Sequence, residues 1–391
     1  MRNDFSSPDE VLLPLLAEHE QAGLMRVRPV FSTPQGINVR VDGRDCLSFC
    51  SNDYLGLAND ERVIRAFKRG ADRYGVGSGA AHVVAGHSVA HHALEEELAD
   101  FTGRDRALTF STGYMANLGI VSALAGRSDE IFEDRLNHAS LLDAAVASRA
   151  SLKRYSHRDP VALRDRLVRS RGERKFILTD GVFSMDGDIA PLPELAAIGK
   201  KHGAWLIVDD AHGLGVLGMK GGGTLEHFEL DADDVPVLMG TLGKALGTFG
   251  AFVAGSDALV EYIMQKARSY IYTTASPPAV AEATRASLKI AREENWRREH
   301  LQELVVRFRA GAKSLGLSLW ESESPIQPVL VGDNHRAVAI SSALRARGFF
   351  VQAIRPPTVP KGSARLRVTF SALHELEQLD RLLDAFSDIF S

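Results

Sequence analysis

Two apolar runs in the middle of the chain each end in residues able to do chemistry. Trp205-Leu206-Ile207-Val208 leads into two carboxylates, Asp209 and Asp210, with His212 just beyond. Ligands of an open α/β sheet sit at the carboxyl ends of its strands, so this run reads as a buried strand carrying acids to a site. The second run, Pro236-Val237-Leu238-Met239, ends in Thr241-Leu242-Gly243-Lys244. A lysine between Gly243 and Gly247 at a strand end is placed for its amine to form an imine with a carbonyl cofactor. An acid opposite it would keep a pyridinium nitrogen protonated. Taken singly, each signal is ambiguous. Asp-Asp-Ala-His also suits a metal site, a solvated strand end or a helix cap, and an isolated lysine is ordinarily a surface residue. A third segment adds an anion site. Strand 107–110 opens into Ser111-Thr112-Gly113-Tyr114 ahead of a helix that starts at Met115. Free N–H groups and the positive end of the helix dipole there suit a phosphate.

Together and in this order, VDDAHGLGVLG and TLGKALGTFG resemble the α-oxoamine synthase branch of the fold-type I pyridoxal-phosphate enzymes. That branch joins an amino acid to an acyl thioester with loss of carbon dioxide. Further wording that matches is Ser51–Leu57, Asn137-His138-Ala139-Ser140, GVFSMDGD at 181–188 and Ile354–Pro360, so the resemblance runs from about Asn38 to His374. It implies that pyridoxal 5'-phosphate is held on Lys244, with Asp209 at the pyridine nitrogen and His138 stacked on the ring. His212 and Ser184 are implied near the phenolic oxygen. Gly113, Tyr114 and Thr241 are implied as further cofactor contacts. Thr274 would reach the phosphate of a neighbouring subunit, which implies a homodimer with shared sites. Asn52 would approach the pocket, and Arg367 would grip the amino acid carboxylate. Arg26, Arg355 and Thr358 would meet the acyl substrate, although Arg355 is also a candidate for the amino acid. Within the family, the wording of the 354–360 loop implies L-alanine and a pimeloyl thioester as the substrate pair. A glycine-using sister shares every catalytic residue and is separable only by assay. The chain departs from the family at Ala81-His82-Val83, where many relatives carry Ser-Arg-Leu.

The elements expected around these residues alternate strand and helix over the middle of the chain. This predicts an α/β fold, a mostly parallel sheet with helices on both faces, plus a smaller C-terminal α+β domain. The expected division is an N-terminal arm of helix and small hairpin at 1–50, a large cofactor-binding domain at 51–285, and a small domain at 286–391. A single long helical stretch from about 279 to 311 is expected to link the two domains.

Composition narrows the function classes. The chain has 391 residues, 45% apolar and 25% charged, as in a soluble globular protein. A net charge of −4 gives no basic footprint for nucleic acid. Two cysteines, Cys46 and Cys50, are too few for a disulfide framework and read as thiols on a strand. No apolar run is long enough to span a membrane. Asp4, Asp9 and Glu10 at the start are unlike a presequence, so a cytoplasmic location is expected.

His82, His87, His91 and His92 raise the question of a metal. Leu94, Leu98 and Phe101 define an amphipathic helix, which would put His91 and His92 on its faces, and no metal site is expected. The acids of the 180–188 loop lack the spacing of a calcium loop. A dinucleotide-binding dehydrogenase is the rival enzyme class, but Gly213-x-Gly215-x-x-Gly218 is followed by no helical pattern. A non-catalytic subunit would be expected to have lost the lysine, and Lys244 is present.

Overall fold

The computed structural model describes residues 7–390; Asp4, one of the acids read at the start, lies outside them. The centre is a seven-stranded sheet. From one edge to the other its strands are Arg106–Phe110, Ala251–Gly255, Val237–Thr241, Ala204–Asp209, Lys175–Asp180, Glu130–Asp134 and Ser151–Tyr155. All neighbours are parallel except Ala251–Gly255, which runs against both of its partners.

Alternation along the strands explains why both faces are covered. Phe176, Leu178, Ile207, Val237 and Met239 point into one apolar cluster, with the helix Gly113–Leu124. Their neighbours Ile177, Leu206, Val208 and Leu238 point into another, with the helix Leu192–His202. The three central strands, Lys175–Asp180, Ala204–Asp209 and Val237–Thr241, are therefore apolar through their middles, and their charged residues stand at the strand ends.

One strand was not legible. Ser151–Tyr155 is the sheet edge, and its Lys153 and Arg154 hide the apolar pattern. Charges on an edge strand block further pairing, and Lys153 bonds Glu130 of the neighbouring strand at 2.6 Å. The stretch expected as one long helix is two, Pro278–Glu293 and Trp296–Ser314. The break at Glu294-Asn295 lets Arg297 turn back to Glu294 at 2.8 Å and to the backbone carbonyl of Leu55 at 2.6 Å.

The C-terminal part forms a three-stranded antiparallel sheet of Ile326–Gly332, Ala364–Thr369 and Gln352–Ile354. The N-terminal hairpin, Asn38–Val41 with Arg44–Ser48, takes Phe349–Phe350 as a third strand, so the start of the chain is stitched to the C-terminal part. One apolar cluster joins Phe252 of the large sheet, with Leu242 and Leu246 of the turn after Thr241, to Phe308, Leu366 and Phe370. That shared core fixes the C-terminal strands over the carboxyl ends of the large sheet. The helix Pro8–Gln21 is capped by Ser7 and Glu10 but buries none of its residues.

Candidate active site

Register brings the acids together. Asp180 and Asp209 are direct partners on adjacent parallel strands, and Asp209 is opposite Met239. Asp209 is 5% exposed. Its Oδ2 accepts from Asn117 Nδ2 at 2.7 Å and its Oδ1 from the backbone N–H of Ala211 at 3.0 Å. No cation forms an ion pair with it among the described residues. Asp180 is buried, and burial first, then the charge of Asp209, holds its carboxyl well above the usual carboxylate range. Burial beside a second acid therefore favours the protonated form of Asp180.

Asp210 turns the other way. Its Oδ2 accepts from the N–H of Thr224 at 2.7 Å. A Cβ at Gly213 or Gly223 would collide with its oxygens, and Gly223 has φ +86°, so glycine is required there. Of the two acids at this strand end, one faces the site and one closes the turn behind it.

Lys244 sits in the turn after Val237–Thr241. Its Nζ lies 2.7 Å from His212 Nε2, and His212 Nδ1 lies 2.7 Å from the Tyr54 hydroxyl. The hydroxyl donates to Asn52 Oδ1 at 3.1 Å. Arg367 closes the chain: Nη1 donates to Asn52 Oδ1 at 3.1 Å, Nη2 to the Tyr54 oxygen at 3.4 Å, and Nε to the backbone carbonyl of Ser184 at 2.7 Å. One proton arrangement satisfies every member. The lysine donates to His212 Nε2, the proton on Nδ1 goes to the tyrosine oxygen, and the tyrosine donates onward to Asn52. His212 stays neutral, because burial and then the charges of Lys244 and Arg367 push its pKa well down. Burial is also the main force lowering Lys244 to about 8, with Asp209 pulling the other way.

His138 caps the helix Ala139–Ser148 and opens onto the same cavity. Its Nδ1 is 2.8 Å from Ser140 Oγ, which accepts from Asn117 Nδ2 at 2.8 Å. The ring proton therefore sits on Nε2, and one network joins His138 to Asp209 through Ser140 and Asn117. Burial keeps the imidazole below its ordinary pKa despite Asp209.

Thr112 caps the helix Gly113–Leu124 by accepting from the N–H of Met115 at 3.2 Å. Gly113 and Tyr114 are the first helical residues, whose N–H groups have no intrahelical acceptor. Thr241 Oγ1 donates to the Gly250 carbonyl at 3.1 Å and accepts from Gly243 N, steadying the turn that carries Lys244.

The residues fit a pyridoxal phosphate. A buried carboxylate without a cation suits a protonated ring nitrogen, since an unpaired buried charge is costly. An amine lowered to about 8 suits imine formation, and a helix N-terminus suits a phosphate. Space is available: a cavity of about 680 Å³ is lined by His138, Ser184, His212, Lys244, Thr358 and Arg367.

Not every expected residue joins that cavity. Arg26 and Arg355 line a separate cavity of about 380 Å³, and Thr358 borders both. Arg355 donates to the backbone carbonyls of Gly23 and Met25, so its guanidinium holds the N-terminal arm. Arg26 Nη2 reaches Thr358 Oγ1 at 3.4 Å. Thr274 pairs with Ala81 in an isolated bridge and does not line the cavity of its own chain.

Tyr54, Asn117, Asp180 and Arg135 belong to the site or its walls and had not been singled out by sequence. Tyr54 lies two residues from Asn52, a spacing that carries no chemical signal by itself. The sequence puts His91 on a face of the helix without deciding whether that face is covered. It is fully buried, with Nε2 at 2.7 Å from the Ser276 carbonyl, because helix Val89–Thr102 packs that face on the helix Pro278–Glu293.

A family model for aminotransferases of class I and II matches residues 44–386. An 8-amino-7-oxononanoate synthase of Methylococcus capsulatus is 63% identical over 373 residues, 95% of this chain and 96% of that protein. The serine palmitoyltransferase of Sphingomonas wittichii has a similar structure, with a TM-score of 0.93 at 34% identity over 98% of both chains. A structure of SPT with PLP gives a TM-score of 0.93 at 32% identity, again over 98% of both chains.

Proposed function

The chain belongs to the class I and II aminotransferase family, and from that premise we propose that it condenses L-alanine with a pimeloyl thioester. The products are 8-amino-7-oxononanoate, carbon dioxide and the free thiol, a step of biotin biosynthesis. One carbon–carbon bond forms between the alanine α-carbon and the acyl carbon, the carbon–sulfur bond breaks, and the alanine carboxylate leaves as carbon dioxide. The carrying observation is the single cavity that unites Lys244, His212, His138 and Arg367 beside Asp209, in a chain so similar to a synthase of this reaction.

Pyridoxal phosphate, when bound, supplies a carbonyl carbon for amines and an electron-withdrawing ring that takes up the electron pair of the substrate α-carbon. Lys244 would hold it at that carbon, Asp209 at the ring nitrogen, the Gly113 and Tyr114 N–H groups at the phosphate, and His138 across the ring face. Ser184, Thr241 and His212 complete its surroundings. Arg367, already oriented by Ser184 and Asn52, receives the alanine carboxylate with two parallel N–H donors. Lys244, as the free amine, takes the proton from the substrate α-carbon, a role suited to its lowered pKa of about 8. His212, neutral and backed by Tyr54, keeps the lysine nitrogen aimed into the cavity. Arg26 and Thr358 stand at the boundary with the second cavity, where the distal carboxylate of the acyl chain would need a cation. The protein acts as a cytoplasmic homodimer in which Thr274 completes the phosphate site of the second copy.

Two measurements test this reading. Borohydride treatment of the cofactor-loaded protein should fix pyridoxyl mass on the peptide containing Lys244. Thiol release with L-alanine should be fastest with the pimeloyl thioester. Faster release from acetyl or palmitoyl thioesters would overturn the substrate assignment and leave the cofactor chemistry standing.

A further inference from the structure

The segment that departs from the family wording folds as one wide turn of π-helix, His82–Gly86, leading into the helix Val89–Thr102. This geometry gathers three imidazoles. His82 Nδ1 and His87 Nδ1 are 3.0 Å apart. The His91 ring stands edge-on to His82 with centroids 4.9 Å apart, and lies 5.7 Å from that of His87. One ring nitrogen from each of the three falls within 4.8 Å of the other two. The chemistry of the proposed active site uses none of them.

From this cluster we infer that His82, His87 and His91 form a binding site for one divalent transition-metal ion of the zinc, nickel or copper class. The donor set decides the class. Three imidazoles without a carboxylate suit these ions, and disfavour magnesium or calcium, which want oxygen. Nitrogens bound at ~2.0–2.1 Å in a tetrahedron stand about 3.3 Å apart. The His82–His87 pair is already near that spacing, and the other gaps, none above 4.8 Å, are within reach of small side-chain rotations.

Orientation favours the site as well. His91 Nε2 donates to the Ser276 carbonyl at 2.7 Å, which leaves its lone pair on Nδ1. A metal-binding histidine is commonly fixed in this way by a backbone carbonyl on its far nitrogen. His82 is steadied by stacking on Tyr270 with centroids 5.1 Å apart. No carboxylate or cation is hydrogen-bonded to any of the three rings among the described residues, so the ion displaces only neutral contacts, those of Ser88 to His91 and of His82 to His87.

Ligation trades three contacts. The N–H and the hydroxyl of Ser88, each now 3.0 Å from His91 Nδ1, are released at the half-buried helix start. The proton shared by His82 and His87 moves to the Nε2 of its own ring, so both offer Nδ1 with no net proton release. A cavity of about 460 Å³, bordered by His82, His87, His92 and Tyr270, gives the ion an entry path and a water in the fourth position.

The test uses untagged, cofactor-loaded protein stripped of metal and titrated with Co²⁺, with visible d–d absorption as the readout. One Co²⁺ per chain with intense tetrahedral bands, displaced by Zn²⁺, is expected. His82→Ala and His87→Gln should each weaken binding at least tenfold, and His227→Ala should leave it unchanged within twofold. Cofactor absorbance and thermal unfolding of each metal-free variant check folding, and the exposed His87→Gln carries the test if His82→Ala does not fold. Equal Co²⁺ affinity in wild type and His87→Gln, or weak octahedral bands alone, would overturn the site.

Discussion

Replacing Tyr54 by phenylalanine removes one oxygen from the centre of the Lys244–His212–Arg367 chain and changes little else. Tyr54 is fully buried, and burial pushes its phenol up, so at working pH it is a neutral donor and acceptor. The variant strips the partner from His212 Nδ1, a contact of 2.7 Å. Arg367 loses only its weakest contact, at 3.4 Å, and keeps Ser184 and Asn52. Asn52 loses one donor of two. The dominant effect is therefore a buried imidazole N–H left without an acceptor, which costs about 1–3 kcal/mol. At ~1.4 kcal/mol per factor of ten, that is roughly 5- to 140-fold if it falls on the reacting geometry. The alternative tautomer of His212 escapes the penalty only by turning an N–H towards Lys244, which impairs the lysine as a base. The assay is thiol release against L-alanine concentration, with thermal unfolding measured beside it. The expected result is a loss of kcat/KM in that range, carried mostly by kcat, with the fold intact. Wild-type kcat/KM within twofold and an unchanged Tm would show that the Tyr54 contact has no part in positioning Lys244.

Asp209→Asn should retain measurable cofactor by absorbance and lose most turnover, since a neutral amide does not hold a proton on the ring nitrogen; full activity would remove Asp209 from that role. In the cofactor-free protein, labelling of Lys244 by an amine reagent should rise with pH and level off above about 8, well below the ~10.4 of an exposed lysine. Because the folded pKa is the lower one, the unfolded chain binds more protons between those values, and this lysine's contribution favours folding increasingly as pH rises through that window. His157 lies 2.9 Å from both Asp134 and Asp188; burial opposes its charge, but the two carboxylates win and raise it to about 9. Its contribution to stability is full below the unfolded pKa of ~6.5 and is lost as pH rises through about 9. His157→Ala should destabilise by about 1–3 kcal/mol, read as a lower midpoint in denaturant, because each acid loses one partner while Arg158 still pairs Asp188 at 3.2 Å and Asp134 keeps the N–H groups of Leu136 and Arg158. Mixing inactive Lys244→Ala subunits with an inactive Thr274→Ala variant should restore part of the activity if sites are shared, and absence of any recovery in mixed dimers would separate Thr274 from the phosphate.

Sequence alone was enough for the parts of this protein whose cause is local. Apolar runs ending at Asp209 and Thr241 had to be strands because they were short, continuous and followed by turn glycines. The helix after the Ser111–Tyr114 turn was readable for the same reason, although it starts at Gly113 rather than Met115. The order of the DDAH and GK segments carried the family, since each is a contiguous phrase. What depended on contacts between distant residues was hidden. Tyr54 and Arg367 are 313 positions apart, and nothing in either neighbourhood announces their meeting. Only the shared core between the large sheet and the C-terminal strands brings Arg367 over the strand ends. The two acids after Val208 look equivalent in sequence. The turn at Gly213 and Gly223 decides that Asp210 faces inward and Asp209 faces the site. Arg355 reads as a substrate cation until the arm is seen threading past it. The sequence sets His91 on a helix face but not whether that face is covered; packing against Ser276 buries it. Chain-local patterns set which elements form; packing sets the partner each polar side chain meets, and that partner determines its protonation and role.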